Sequence, residues 1–240
     1  MKALIFNSGT GTRLGALTKV APKCMTAIDA EYTVIKWQLE TLFTAGVEEV
    51  IITTGPFEEL LVEYVQGLQK KPSVRFVRNT RYQETNYIYS MYCARELLSG
   101  DDFIILHGDL VYEEGLLLDL IKSERSAAAV DYAAPLPEKD FKAKVAEGMI
   151  RAIGIEFFSK DCHACQPMYK FLADDFQRWM QEVVSFCEAG TVKVYAENAF
   201  NAISDTISLY PLDIEGRLCK EIDNPEDLDL VSALFQKYKK

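Results

Sequence analysis

KALIFNSGTGTRLG, residues 2–15, decides how the rest of this chain is read. Lys2 to Phe6 form a short apolar run that predicts a buried strand. The run ends at Asn7-Ser8, and the chain passes into Gly9-Thr10-Gly11-Thr12-Arg13-Leu14-Gly15. A strand that delivers glycines can hold an anion, because residues without a Cβ let backbone N–H groups approach phosphate oxygens. Taken alone, the same residues also describe a tight turn after a strand. Two familiar phosphate loops do not fit. A dinucleotide fingerprint needs a third glycine where Leu14 stands, and an acidic residue at the end of the next strand, where Thr53-Thr54-Gly55 stand. The Walker loop needs Gly-Lys-Ser or Gly-Lys-Thr, and the sequence has neither. Two cations come after the glycines: Arg13, then Lys23 behind Pro22, whose ring stiffens the backbone. An anion loop flanked by an Arg and a Lys suits a triphosphate. As isolated residues, both are ordinary surface cations.

Outward from this loop, strands and helices alternate. Ile35, Leu39, Leu42 and Phe43 stand at helical spacing over 34–45, with Gly46 as the stop. VEEVIITTG (47–55) predicts a second strand, 57–69 an amphipathic helix, and VRFV (74–77) a third strand. A helix is expected next over 86–98, capped by Thr85 or Asn86. FIILHGD (103–109) is the fourth strand. Short links between alternating strands and helices indicate a mostly parallel sheet covered on both faces. Ligands in such sheets sit beyond the carboxyl ends of the strands, where the Gly9 loop, Gly55 and Asp109 all fall. From about residue 125 the pattern turns to mixed strands: SAAAVDYAA, FKAKVAEGMIRAIGIEFF and PMYKFLA. Glu147-Gly148 reads as a hairpin turn. Helices are expected over 174–188 and 225–238, the latter opened by Asn224-Pro225. No linker interrupts the chain. The expectation is one α/β domain, Rossmann-like, with a mixed sheet flanked by helices. Residues 1–124 form its nucleotide-binding half, and 125–240 its acceptor half with a second metal-ligand segment.

Composition narrows the function. The 240 residues are 49% apolar, enough for a sizeable core. A formal net charge of -10 argues against general affinity for nucleic-acid phosphates. The N-terminus lacks the long apolar run of a signal peptide, and no window reaches membrane-spanning length. A cytoplasmic protein with no nucleic-acid or membrane partner is expected. Its six cysteines then read as free thiols, mostly buried.

The order strand, Gly9-x-Gly11-x-Arg13, then Pro22-Lys23, resembles the signature of the nucleotidyltransferase superfamily that makes nucleotide-activated sugars and headgroups. Trp37-Gln38-Leu39-Glu40, Ala45-Gly46 and Val50 to Gly55 resemble that family's first helix and second strand. Asn79-Thr80-Arg81-Tyr82, then Thr85-Asn86-Tyr87-Ile88-Tyr89-Ser90, resemble the cytidylyltransferases that act on phosphocholine, aminoalkylphosphonate and phosphoglutamine. The likeness spans essentially the whole chain and is strongest at 1–25, 79–110 and 217–228. Many relatives begin the loop with two alanines; here Asn7 and Ser8 stand there, able to offer hydrogen bonds to a base or ribose.

The resemblance implies a nucleotide-diphospho-sugar transferase type of fold and an enzyme that takes CTP, Mg²⁺ and a small phosphorylated or phosphonylated acceptor. A homodimer is left open. Lys23 and Arg13 would be the catalytic cations. Asn7, Ser8, Gly9, Gly11, Thr54, Gly55, Thr85, Asn86 and Ser90 would meet the nucleotide. Asp109 and Asp223 match the metal-binding aspartates, with Glu221 joining directly or through water; in a strand Glu221 and Asp223 share a face. From spacing alone, Asp223-Asn224-Pro225 reads first as a helix cap; the whole set of matches turns the reading to the metal. Lys142, Lys144, Glu156, Tyr169, Lys170, Glu197 and Asn198 are candidates for the acceptor side. Taken singly, Lys142 and Lys144 read first as exposed edge lysines of a strand. Two alternatives stand beside the cytidylyltransferase: a sugar-1-phosphate enzyme using UTP, GTP or dTTP, and a non-catalytic nucleotide-binding regulator. Cys162-His163-Ala164-Cys165 has no second pair at zinc spacing, so it reads as a surface turn.

Overall fold

The computed structural model describes residues 1–11, 14–15 and 19–239. Arg13 therefore lies outside the described residues. Four strands from the first half lie parallel in the order β3-β2-β1-β4: β1 (Lys2–Asn7), β2 (Glu49–Thr54), β3 (Ser73–Arg78) and β4 (Phe103–His107). β9 (Cys162–Phe171) then pairs antiparallel with both β4 and β6 (Ala127–Asp131), and β10 (Tyr210–Asp213) runs parallel to β6 at the far edge. The sheet is thus mixed and mostly parallel, as the alternation of elements predicts. A hairpin of β7 (Lys142–Ala146) and β8 (Met149–Gly154) hangs from β9. Its turn is Glu147-Gly148, at φ 54° and 73°. Two successive positive φ values make the turn that matches strand twist.

Both faces of the sheet are buried because both parities of each central strand are apolar. On β1, Leu4 and Phe6 face one layer, which includes α3 (Tyr87–Cys93), α5 (Ala173–Glu188) and α6 (Ala196–Ala202). Ala3 and Ile5 face the other, built from α1 (Val34–Thr44), α2 (Glu58–Gly67) and α4 (Glu114–Lys122). Phe43, expected among the core positions of α1, is 49% exposed; the buried stripe is carried by Ile35, Leu39 and Leu42. The helix expected over 86–98 ends at Cys93 and continues as a short 3-10 turn, Arg95–Leu97.

A small antiparallel pair, β5 (Leu110–Tyr112) with β11 (Cys219–Glu221), brings the C-terminal region beside the end of β4. Glu221 pairs with Leu110 in this register, and α7 (Pro225–Tyr238) then packs over Trp37 and Ile222. The N-cap of α7 is Asn224, whose side chain accepts from the Asp227 N–H at 2.9 Å. The Asp223 carboxylate is therefore not the helix cap.

Cys162 to Cys165 form the start of β9, not a turn. In a strand, residues three apart project to opposite faces, so the two thiols cannot converge on one ion or one disulfide. All six cysteines are free, five of them buried. No described helix is long and apolar enough to cross a membrane.

Candidate active site

β1 ends between its two parallel neighbours, and glycines on both sides make room for it. A Cβ on Gly55 would lie 2.3 Å from the Ser8 carbonyl oxygen, and one on Gly108 would lie 1.8 Å from Asn7 Oδ1. Neither distance is tolerable, so any side chain there would displace the loop. These glycines hold Asn7 and Ser8 in place. Gly108 leaves the space that Asn7 fills and also borders the adjoining cavity. Asn7 Nδ2 and Ser8 Oγ are buried without a hydrogen-bond partner, and each such group has a cost unless something satisfies it.

They face a cavity of about 340 Å³. Asn7, Ser8, Gly9, Gly11 and Lys23 border it on the loop side, and Thr85, Asn86 and Ser90 on the α3 side. Asn79, buried below, donates to Thr85 Oγ1 at 3.1 Å and Ser90 Oγ at 3.0 Å, fixing that wall. Asn86 caps α3 by accepting from the Tyr87 N–H at 2.8 Å. Thr54 and Gly55 do not border the cavity. Thr54 is fully buried and donates to Glu58 at the start of α2.

On the floor, three distant segments meet. Lys23 Nζ donates to Asp109 and, at 2.5 Å, to Asp223 Oδ1. Lys23 is fixed by the 3-10 turn Lys23–Met25, Asp109 by the turn after β4, and Asp223 by the step from β11 into α7. Glu221 sits beside them, bonded to His107 Nδ1 at 3.0 Å. Burial opposes charge on Lys23, but Asp109 and Asp223 outweigh it and raise its pKa. Burial, then repulsion from Asp109, pushes the Glu221 carboxyl up to about 7. Asp109 itself stays below the usual carboxylate range: burial acts against its charge, but Lys23 and His107 prevail. Asp109 Oδ1 is buried and unpartnered.

None of the seven candidates for the acceptor side borders this cavity. Lys142 is fully buried and bonds the Ile155 carbonyl at 2.6 Å, with its ammonium 4.0 Å from the Phe158 ring centre. Lys144, two residues on, reaches only Asp161 at 3.8 Å. Glu156 lies against Gly154. Lys170 points to the opposite face of the sheet, where it bonds the Ile121 carbonyl at 2.7 Å and that of Ser123, the end of α4; a cation is favoured at that helix end. Tyr169 spends its hydroxyl on Glu197 at 3.1 Å, and Tyr87 bonds the same carboxylate. Asn198 accepts from the Tyr195 N–H at 3.0 Å, closing the first turn of α6. The wall from the second half is made instead by Lys139, Asp140, Phe141, Ile155 and Tyr195. Sequence reading also passed over His107 and Tyr87. Both stood within quoted motifs; for His107 the available signal was a polar side chain at the end of a buried strand, and for Tyr87 its place in the first turn of α3, next to the capping Asn86.

Comparison with known proteins bears on the family and the fold. The profile of the nucleotidyl transferase family matches residues 2–143. The CTP:phosphoglutamine cytidylyltransferase of Campylobacter jejuni is 28% identical over 96% of this chain and 98% of its own length. The choline-phosphate cytidylyltransferase of Streptococcus pneumoniae is 32% identical over 51% of each. Among solved structures, the CTP:phosphocholine cytidylyltransferase of S. pneumoniae superposes with a TM-score of 0.79 at 22% identity, covering 98% of both chains. The inositol-1-phosphate CTP transferase of T. maritima gives 0.80 at 22% identity, over 100% of this chain and 96% of that one. At that identity the structures establish the fold, which is the nucleotidyltransferase one. With the profile covering more than half of its residues, this chain belongs to the nucleotidyl transferase family of enzymes.

Proposed function

We propose that this enzyme is a Mg²⁺-dependent cytidylyltransferase. It joins CTP to a small phosphorylated or phosphonylated headgroup and releases a CDP-headgroup and pyrophosphate. The observation that carries this reading is the meeting of Lys23, Asp109 and Asp223 on the floor of a cavity whose rim is the glycine loop. The relatives similar in sequence, named for CTP with phosphoglutamine or choline phosphate, support the base and the type of acceptor.

The attacking oxygen of the acceptor is already an anion near neutral pH, so no general base is needed. The barrier is the approach of one anion to another. Asn7 and Ser8 offer their unsatisfied groups to the base or ribose, and backbone N–H groups of Gly9 and Gly11 receive phosphate oxygens. Asp109 Oδ1, buried and unpartnered, with Asp223 and Glu221 close to the same floor, fits a divalent cation. Asp109 and Asp223 would hold it, with Glu221 directly or through water. When bound, Mg²⁺ supplies positive charge to the α-phosphate and the leaving pyrophosphate. Until then the Lys23 ammonium balances Asp109 and Asp223. The same ammonium, at the border of the cavity, would meet triphosphate oxygens there, where charge shifts as pyrophosphate departs. Arg13 is assigned the same task. Lys139, beside Phe141 and Tyr195, is the cation available to the acceptor. We place the reaction in the cytosol, on small molecules and not on nucleic acid, to which a net charge of -10 is unfavourable.

Pyrophosphate release measured with CTP, UTP, GTP, ATP and dTTP, against a panel of headgroup phosphates, phosphonates and sugar 1-phosphates, tests the reading. CTP with an amino headgroup is the expected pair. Turnover with UTP or dTTP and a sugar 1-phosphate, and none with CTP, would reject it.

A further inference from the structure

The two carboxylate oxygens of Asp109 look onto different surroundings. Oδ2 receives the Lys23 ammonium, while Oδ1 is buried with no hydrogen-bond partner. Asp109 also has two neighbours that Lys23 does not bond: Glu221 and His107. One ligand atom from each of His107, Asp109 and Glu221 lies within 4.8 Å of the other two, and His107 Nδ1 is 3.0 Å from Glu221 Oε1. Neighbouring ligands of an octahedral ion with bonds of about 2.1–2.2 Å stand roughly 3 Å apart, and opposite ones about 4.3 Å. The trio is within a small side-chain adjustment of that spacing.

We infer that His107, Asp109 and Glu221 form a cation subsite of their own, on the side of Asp109 away from Lys23 and Asp223, and that it takes a first-row transition ion such as Mn²⁺ in preference to Mg²⁺. The preference follows from the donor set. An all-oxygen site suits Mg²⁺, whereas an imidazole nitrogen suits first-row transition ions; Mn²⁺, the hardest of these, still accepts that nitrogen more readily than Mg²⁺ does. His107 is held for this by its surroundings: its ring packs against Tyr87 at 4.8 Å and Phe6 at 5.9 Å between centroids, and borders the cavity. The subsite rests on the metal-dependent reading of this cavity, but it concerns binding of the ion alone, so it stands or falls without nucleotide or turnover.

The test is electron spin echo spectroscopy of Mn²⁺ added to the full-length protein, with Mn²⁺ and Mg²⁺ affinities measured in parallel. A directly bound imidazole couples its ¹⁴N to the Mn²⁺ spin. The sequence has two histidines, and the other, His163, lies on β9 against Tyr132. The nitrogen coupling is expected in wild type and in His163→Asn, and absent in His107→Asn. Asn can keep a donor near the place of Nδ1, so it preserves the contact with Glu221 while removing the imidazole. Mn²⁺ binding should weaken on the order of tenfold in His107→Asn, with Mg²⁺ binding unchanged. Asp223→Asn should retain the coupling. No nitrogen coupling in wild type, coupling that survives His107→Asn, or equal loss of Mn²⁺ and Mg²⁺ binding would each overturn the inference. If His107→Asn does not fold, the coupling in His163→Asn decides alone. CTP turnover could fail while the coupling stands, which separates this result from the proposed function.

Discussion

Lys23 Nζ lies 2.5 Å from Asp223 Oδ1 across a sequence separation of 200 residues, and the same ammonium bonds Asp109. One lysine therefore ties the start of the chain to the end of its fourth strand and to the entry of its last helix. The contact is electrostatic and largely withdrawn from water, so its members should be sensitive to loss of charge.

Replacing Lys23 by Ala should lower kcat with CTP on the order of a hundredfold or more, because the ammonium acts on charge that moves in the transition state. Steady-state kinetics at saturating CTP and Mg²⁺ provide the check. Turnover near that of wild type would remove Lys23 from the chemistry.

Asp109→Asn and Asp223→Asn should each abolish Mg²⁺-dependent turnover while the protein remains folded. Asn is close to Asp in size but weak as a Mg²⁺ ligand. For Asp223 the outcome also separates two roles, since Asn224 already caps α7. An active Asp223→Asn enzyme would show that the carboxylate is dispensable. Melting curves of both variants without metal should shift little, because Lys23 keeps one carboxylate partner in each.

Stability of the metal-free protein should fall as pH rises from about 4.5 to about 7. The Glu221 carboxyl is raised from 4.5 to about 7 by burial and then by Asp109. Within that window the unfolded chain has lost the proton that the folded chain keeps, so raising the pH favours unfolding. A shift of this size corresponds to roughly 3 kcal/mol in total. His107 adds a loss of the same sign above its ordinary value of 6.5: burial works against its charge, but the bond to Glu221 outweighs it and raises its pKa. Melting temperatures across pH 5 to 8 should show the decline, and Glu221→Gln should flatten it. Added Mg²⁺ should stabilise more strongly at the upper end, because it binds deprotonated carboxylates. A melting temperature that climbs with pH in the metal-free wild type would contradict this account.

Lys170→Ala should destabilise the fold by about 1.5–3 kcal/mol, the usual worth of hydrogen bonds from a charged group, and leave KM for both substrates unchanged below the melting transition. The side chain is 4% exposed and caps α4 on the face away from the cavity. A raised KM for the acceptor without loss of stability would return Lys170 to the substrate.

Much of the architecture follows from local pattern. Leu4 and Phe6 alternate with Ala3 and Ile5, so β1 had to be buried on both faces, and a strand of that kind belongs in the centre of a covered parallel sheet. Glu147-Gly148 is a turn because Gly148 takes a positive φ without steric cost, and Glu147 is carried into the left-handed region beside it. Asn224-Pro225 opens α7 because Asn can cap and Pro has no N–H to lose. The glycine loop and Lys23 were legible as an anion site for the same reason: their chemistry is local.

The acceptor side was not legible, and the cause is physical. Whether Lys142, Lys170 or Tyr169 meets a substrate depends on which way each β9 or β7 side chain points and on what already occupies its polar atom. Lys142 is satisfied by the Ile155 carbonyl, Tyr169 by Glu197, and Lys170 by the end of α4. These partners lie between 13 and 49 residues away in the chain, and no period in the sequence records them. The register of β11 against β5 is of the same kind. It brings Glu221 beside Leu110, and with it places Asp223 at Lys23 and His107 at Glu221. The residue types at the floor of the cavity were thus written in the chain, whereas their convergence on Asp109 came from the packing of segments that share no local signal.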